Sequence, residues 1–134
     1  MMEALLRRLI LSAKQTQFSS QKANPDYPGV LDISPEELKD LKDQVQLIDV
    51  RRPDEFTGEL GHIPGSELIV LDTLTESVDR LDKNKTIVFI CRSGARSARA
   101  SMLVKEFGIT DTYNMWGGMI EWNRLGFEVE GRSS

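Results

Sequence analysis

From residue 30 onward the chain alternates between two patterns. Short runs of apolar, often β-branched residues give way to stretches whose apolar positions recur every three or four residues. The first pattern is that of strands and the second that of amphipathic helices. Residues 45–50 (VQLIDV), 67–71 (ELIVL), 86–90 (TIVFI) and 112–115 (TYNM) read as strands. Helices are expected from residue 35, from 73 to about 81, over 97–107 and over 118–125, with one helical turn at 53–56 and a tight turn at His62-Ile63-Pro64-Gly65. Their ends carry capping chemistry. Ser34 precedes Pro35 with Glu37 three residues on, which supplies an N-cap, a first-turn proline and a capping-box glutamate. Thr73 and Glu76 repeat the box, and Gly108 and Gly126 are placed to close the two later helices. Within 97–107, Ala98, Met102, Leu103 and Phe107 fall on one side and are expected to face the core.

The 86–90 run is apolar at nearly every position, as a strand needs when both faces are covered. Strands alternating with helices imply an α/β fold, with a mainly parallel central sheet of about five strands flanked by helices on both faces. Before residue 30 the pattern changes. Met2, Leu5, Leu6, Leu9, Ile10 and Ala13 line one face of an expected N-terminal helix, and the polar stretch 15–28 with its two prolines reads as a linker. The expected organisation is helix and linker over 1–28, one domain over 29–130, and a short tail over 131–134. The helix is suited to docking on the domain or to dimer or partner contact. Arg7 and Arg8 interrupt its apolar run, so it lacks the unbroken core of a secretory signal. No stretch reaches the roughly 20 apolar residues needed to cross a bilayer.

Composition narrows the chemistry. The chain has 134 residues, 40% apolar and 28% charged, enough for one ordinary globular core. Its net charge of −4 and pI near 5.1 argue against nucleic-acid binding. The distribution says more: 16 of the 21 acidic residues precede Cys91, whereas 91–105 contains none and carries Arg92, Arg96, Arg99 and Lys105. A basic island in an acidic chain suggests an anionic ligand. Cys91 is the one cysteine and His62 the one histidine. This excludes an internal disulfide, a Cys-x-x-Cys redox pair and a Cys/His zinc site, and no metal or cofactor is expected. The cysteine usage fits a reducing compartment, so a cytoplasmic location is expected.

Cys91 stands at the carboxyl end of the 86–90 strand, where open α/β sheets place their ligand sites. Arg92, Ser93, Gly94, Ala95, Arg96 and Ser97 follow and lead into a helix. Gly94 permits backbone angles closed to other residues, so the loop can curl its N–H groups inward as an anion nest. The helix N-terminus adds the positive end of its dipole. Such surroundings favour a thiolate over a thiol, and they point to a sulfur nucleophile inside an anion cradle. Loop length separates two chemistries. Cysteine-dependent phosphatases use a Cys-x5-Arg loop sized for a tetrahedral phosphate; here the arginine comes one position earlier, at Arg96, and the sixth residue is Ser97.

In this shorter loop the sequence resembles the rhodanese family, whose active loop has the form Cys-Arg-x-Gly-x-Arg. Two further blocks agree. Ile48-Asp49-Val50-Arg51, with Pro53 to Phe56 and Gly61 to Gly65, is similar to the family's N-terminal signature. Tyr113-Asn114-Met115-Trp116-Gly117-Gly118, with Trp122 after it, is similar to the C-terminal one. The resemblance implies a sulfurtransferase. Cys91 would take the outer sulfur of a small anionic donor such as thiosulfate as a persulfide, and pass it to cyanide, a thiol or a protein acceptor. The segment Arg92 to Ser97 would bind the donor and the persulfide, with Asp49 and Arg51 bracing the loop and His62 structural. With no second cysteine in the sequence, that sulfur has to leave to an outside acceptor. A rhodanese-like regulatory module without turnover, and a small phosphatase or arsenate reductase, are the rival readings.

Overall fold

The structure, a computed structural model, describes residues 16–133. The expected N-terminal helix lies outside the described residues. Six strands form one sheet: β1 (Lys22–Ala23), β2 (Leu31–Ile33), β3 (Gln46–Asp49), β4 (Glu67–Leu68), β5 (Ile87–Ile90) and β6 (Thr112–Met115). Among the described residues, four α-helices accompany them: α1 (Pro35–Leu41), α2 (Pro53–Phe56), α3 (Ala95–Lys105) and α4 (Gly118–Arg124). The strand order is β1-β2-β6-β5-β3-β4, antiparallel only between β1 and β2. The mainly parallel α/β architecture is therefore as the alternation implies, with one more strand than expected.

β5 explains why the sheet is covered on both faces. Its side chains alternate, so Val88 and Ile90 enter one core with Leu38, Met119 and Trp122, while Ile87 and Phe89 enter the other with Leu74, Ala100 and Val104. Ile87, Val88, Phe89 and Ile90 are each 0% exposed. Each such side chain contributes about 1.5–3 kcal/mol by leaving water. The two faces are thus closed by α1 with α4, and by α3 with a 3-10 segment, Leu71–Arg80.

Several local expectations change. The strand expected over 67–71 is regular only at Glu67 and Leu68; the N–H groups of Ile69 and Leu71 still donate to the carbonyls of Asp49 and Val50 as the chain turns into the 3-10 segment. That segment replaces the α-helix expected from residue 73; it breaks at Ser77, and the Thr73 hydroxyl donates to Val70 O instead of capping. In α3 the buried face is Ser97, Ala98, Ala100, Ser101 and Val104, whereas Met102 and Phe107 are about 40% exposed. The first turn of α3 is tied to the loop leaving β5, so the helix lies close against the sheet and small residues occupy the approach.

The stretch read as a linker is packed onto the domain from residue 16. Phe18 is buried edge-on against Tyr113, and the Thr16 N–H donates to the Thr86 hydroxyl. Ser34 caps α1 as expected, accepting from the Glu37 N–H. The Glu37 carboxylate instead accepts from the N–H and hydroxyl groups of both Ser19 and Ser20. Burial pushes the Glu37 carboxyl up, but these four donors outweigh it and hold it down at about 2.

Candidate active site

Cys91 is the first residue beyond β5 and is 1% exposed. Its Sγ accepts from the Gly94 N–H at 3.0 Å and lies 3.2 Å from the Ser97 hydroxyl. Gly94 makes this curl with φ +106°, a conformation that costs a side chain-bearing residue energy. α3 begins at the next residue, so the N–H groups of Ala95, Arg96 and Ser97 lie in a first turn that has no intrahelical acceptors. Eleven aligned peptide units add the positive end of their dipole there.

The opposite side of the loop is held by α4. The N–H groups of Met119 and Ile120 donate to the carbonyls of Cys91 and Arg92 at 2.8 and 3.1 Å. A trans peptide sets its N–H opposite its C=O, so anchoring these carbonyls on α4 turns the N–H groups of Arg92 and Ser93 away from it. Gly118 makes this approach possible. It has φ +60°, and a Cβ there would overlap the Arg92 carbonyl and fall 2.6 Å from the Cys91 oxygen.

The two loop arginines differ. Arg92 is exposed. Arg96 is spent on Glu55 through two parallel hydrogen bonds of 2.7 and 2.8 Å. Those hydrogen bonds from Arg96 hold the Glu55 carboxyl at about 2 against the opposing effect of burial. Arg51, 1% exposed, forms an ion pair with the fully buried Asp49. It also donates to the carbonyls of Gly61 and Glu55 at 2.7 and 3.2 Å. Asp49 and Arg51 therefore order the segment carrying Glu55, and bear on the cysteine loop at one remove through the Glu55–Arg96 pair.

Two recesses flank the loop. One, of about 190 Å³, lies among Arg51, Glu55, Leu60 and Arg92. The other, of about 200 Å³, lies among Asp32, Ser93, Gly94, Ala95, Asn114 and Trp116. Trp116 is half exposed on this rim, whereas Trp122 is a core residue whose indole N–H donates to Glu128 O. His62 stacks on Phe56, and its Nδ1 pairs with the Phe56 carbonyl at 2.8 Å. Its Nε2 lies 3.3 Å from the Glu130 carboxylate. Among the described residues, no group of three or more His, Cys, Asp or Glu is placed to hold a metal ion.

Two neighbours have no role assigned by the motifs: Asp32 lies outside them, and Asn114 lies within the C-terminal block with no chemistry attached to it. Asn114 accepts the Ser97 hydroxyl on its Oδ1 and donates from Nδ2 to Asp32 at 2.9 Å. Asp32 and Asn114 face each other across β2 and β6. Their one signal in the sequence is a polar residue at a strand position where an apolar one would fit.

Residues 34–125 match the family model described as Rhodanese-like domain. Putative sulfurtransferase YtwF of Bacillus subtilis is 38% identical over 96 residues, spanning 69% of this chain and 90% of that one. The probable adenylyltransferase/sulfurtransferase MoeZ of Mycobacterium tuberculosis is 37% identical over 95 residues, 67% of this chain but 24% of MoeZ. The crystal structure of a rhodanese-like domain protein from Staphylococcus aureus superposes with a TM-score of 0.64 at 33% identity, covering 74% of this chain and 97% of that one.

Proposed function

Because the chain belongs to the rhodanese-like domain family, we propose that it is a sulfurtransferase working through a persulfide on Cys91. The observation that carries this reading is the buried sulfur of Cys91, curled over by Gly94 N–H at the mouth of a helix N-terminus. In the first half-reaction the Cys91 thiolate attacks the outer sulfur of thiosulfate. The new S–S bond forms as the old one breaks, and sulfite leaves with the electron pair. In the second, an acceptor nucleophile takes the outer sulfur and Cys91 departs as a thiolate. This is covalent catalysis in two halves, with ping-pong kinetics.

The loop segment Arg92 to Ser97 supplies N–H groups for the anionic outer sulfur, the role preorganised dipoles play wherever charge develops. Arg92, exposed at the rim, meets the negative donor. Arg96 shapes the loop from its pair with Glu55. The acceptor is cyanide, a small thiol or a nucleophilic side chain of an acceptor protein. A protein acceptor gains support from relatives named as a putative sulfur carrier protein and as an adenylyltransferase/sulfurtransferase.

Intact mass after incubation with thiosulfate tests the reading. The wild type gains one sulfur atom, and cyanide removes it with release of thiocyanate. Cys91→Ser gains none. A wild type that stays at its unmodified mass with thiosulfate and with other persulfide donors would sink the proposal.

A further inference from the structure

Behind Cys91 a line of side-chain hydrogen bonds crosses the sheet strand by strand. It starts just past β1, where Asn24 Oδ1 accepts the N–H groups of Asp26 and Tyr27 at 2.8 and 3.0 Å. That contact turns the Asn24 amide so that Nδ2 donates to Asp32 Oδ1 at 3.0 Å. Asp32, 2% exposed on β2, accepts at the same oxygen from Asn114 Nδ2 on β6. The Asn114 amide is thereby fixed as well, with Oδ1 toward the Ser97 hydroxyl. An amide oxygen only accepts, and a serine hydroxyl has one proton to give. That proton goes to Asn114. Toward Cys91 Sγ, 3.2 Å away, Ser97 is left with lone pairs alone.

We propose that Asp32 and Asn114 are positioning residues that act through Ser97: by committing its hydroxyl proton to Asn114 they make Ser97 an acceptor for the Cys91 S–H, and so set the pH at which the thiolate forms. The inference rests on the reading of Cys91 as the nucleophile. The cradle of N–H groups draws the sulfur toward its anion, and this lock works against it. When the thiol gives its proton to solvent, Ser97 either faces the anion with a lone pair or rotates toward it and abandons Asn114. Either course costs a hydrogen bond.

Charged groups stand on the elements that surround the cysteine loop, α4 among them through its Glu121–Arg124 pair. Asp49 at the end of β3 is paired with Arg51 just beyond it, Glu55 of α2 is paired with Arg96 of α3, Arg92 lies on the loop itself, and Asp32 lies on β2. A test has to leave all of these in place. Asn114→Ala and Ser97→Ala change no charge, and Asp32 keeps its hydrogen bond from Asn24 in both.

The measurement is the pH profile of Cys91 alkylation by iodoacetamide, followed by intact mass; with one cysteine in the chain the product is unambiguous. Asn114→Ala frees the Ser97 proton to turn onto the sulfur, and the midpoint is expected to fall by about one pH unit, a tenfold gain in thiolate on the rising limb. Ser97→Ala removes the acceptor of the S–H, and its midpoint is also expected to fall. The double variant follows Ser97→Ala. An unchanged or raised midpoint in either single variant overturns the proposal, and Ser97→Ala alone decides if Asn114→Ala does not fold. No sulfur donor enters this assay, so its failure is separable from a failure of sulfur transfer.

Discussion

Gly118 shows how much of the site depends on one absent methyl group. The loop carbonyls of Cys91 and Arg92 rest on the start of α4, and no side chain fits between. Gly118→Ala combines a left-handed backbone strain of about 1–3 kcal/mol with overpacking of similar size. Urea unfolding is expected to report a loss of more than about 2 kcal/mol, and sulfur loading from thiosulfate should fall with it. Arg51 is a second such residue. Removing it in Arg51→Ala leaves Asp49 as a buried charge without its partner, a change that costs about 3–5 kcal/mol. The same unfolding experiment reads it. Neither effect depends on contact with a substrate.

At the scale of elements, the Glu55–Arg96 pair joins α2 to the first turn of α3 and so couples two segments 41 residues apart. The pair is partly open to water, so Glu55→Gln is expected to cost about 1 kcal/mol at neutral pH. Its pH dependence has a definite sign. The folded-state carboxyl sits near 2 against an ordinary 4.5, so its contribution is complete above 4.5 and is lost as pH falls toward 2. Urea titrations of wild type and Glu55→Gln should therefore converge over that window; a gap that stayed constant down to pH 2 would remove the pair as its cause.

Elements also differ in how readable they were. β5 and β6 stand out because every residue of each is buried, and the loop after β5 carries its chemistry in adjacent positions. β1 and β2 have two and three residues, too few for any period to appear. The buried face of α3 misleads by hydrophobicity, since alanine and serine fit the close approach that Met102 and Phe107 do not. Cys91, Gly94 and the loop arginines can be read together as a candidate site because they stand within six positions of one another. Glu55 as the partner of Arg96 was not fixed by spacing, and Asp32 with Asn114 meets Ser97 only once the sheet assembles.

For the whole molecule, residues 16–28 belong with the domain although the family match begins at residue 34. Chains starting at Thr16 and at Gly29 should differ in stability by at least about 3 kcal/mol, the order expected for loss of one buried phenylalanine, here Phe18. Thermal melts of the two chains check this; equal melting temperatures would return the segment to a linker. The sheet has another property at this scale. Its outermost strands, β1 and β4, are two residues long. An exposed strand edge is a template on which a second chain can extend a sheet, and short edges are one way proteins blunt it. Here the long strands lie inside, beneath the reactive loop, and the margins give a neighbouring copy few backbone groups to grip. Sheet extension by a second chain therefore has little to build on at either margin of the described sheet.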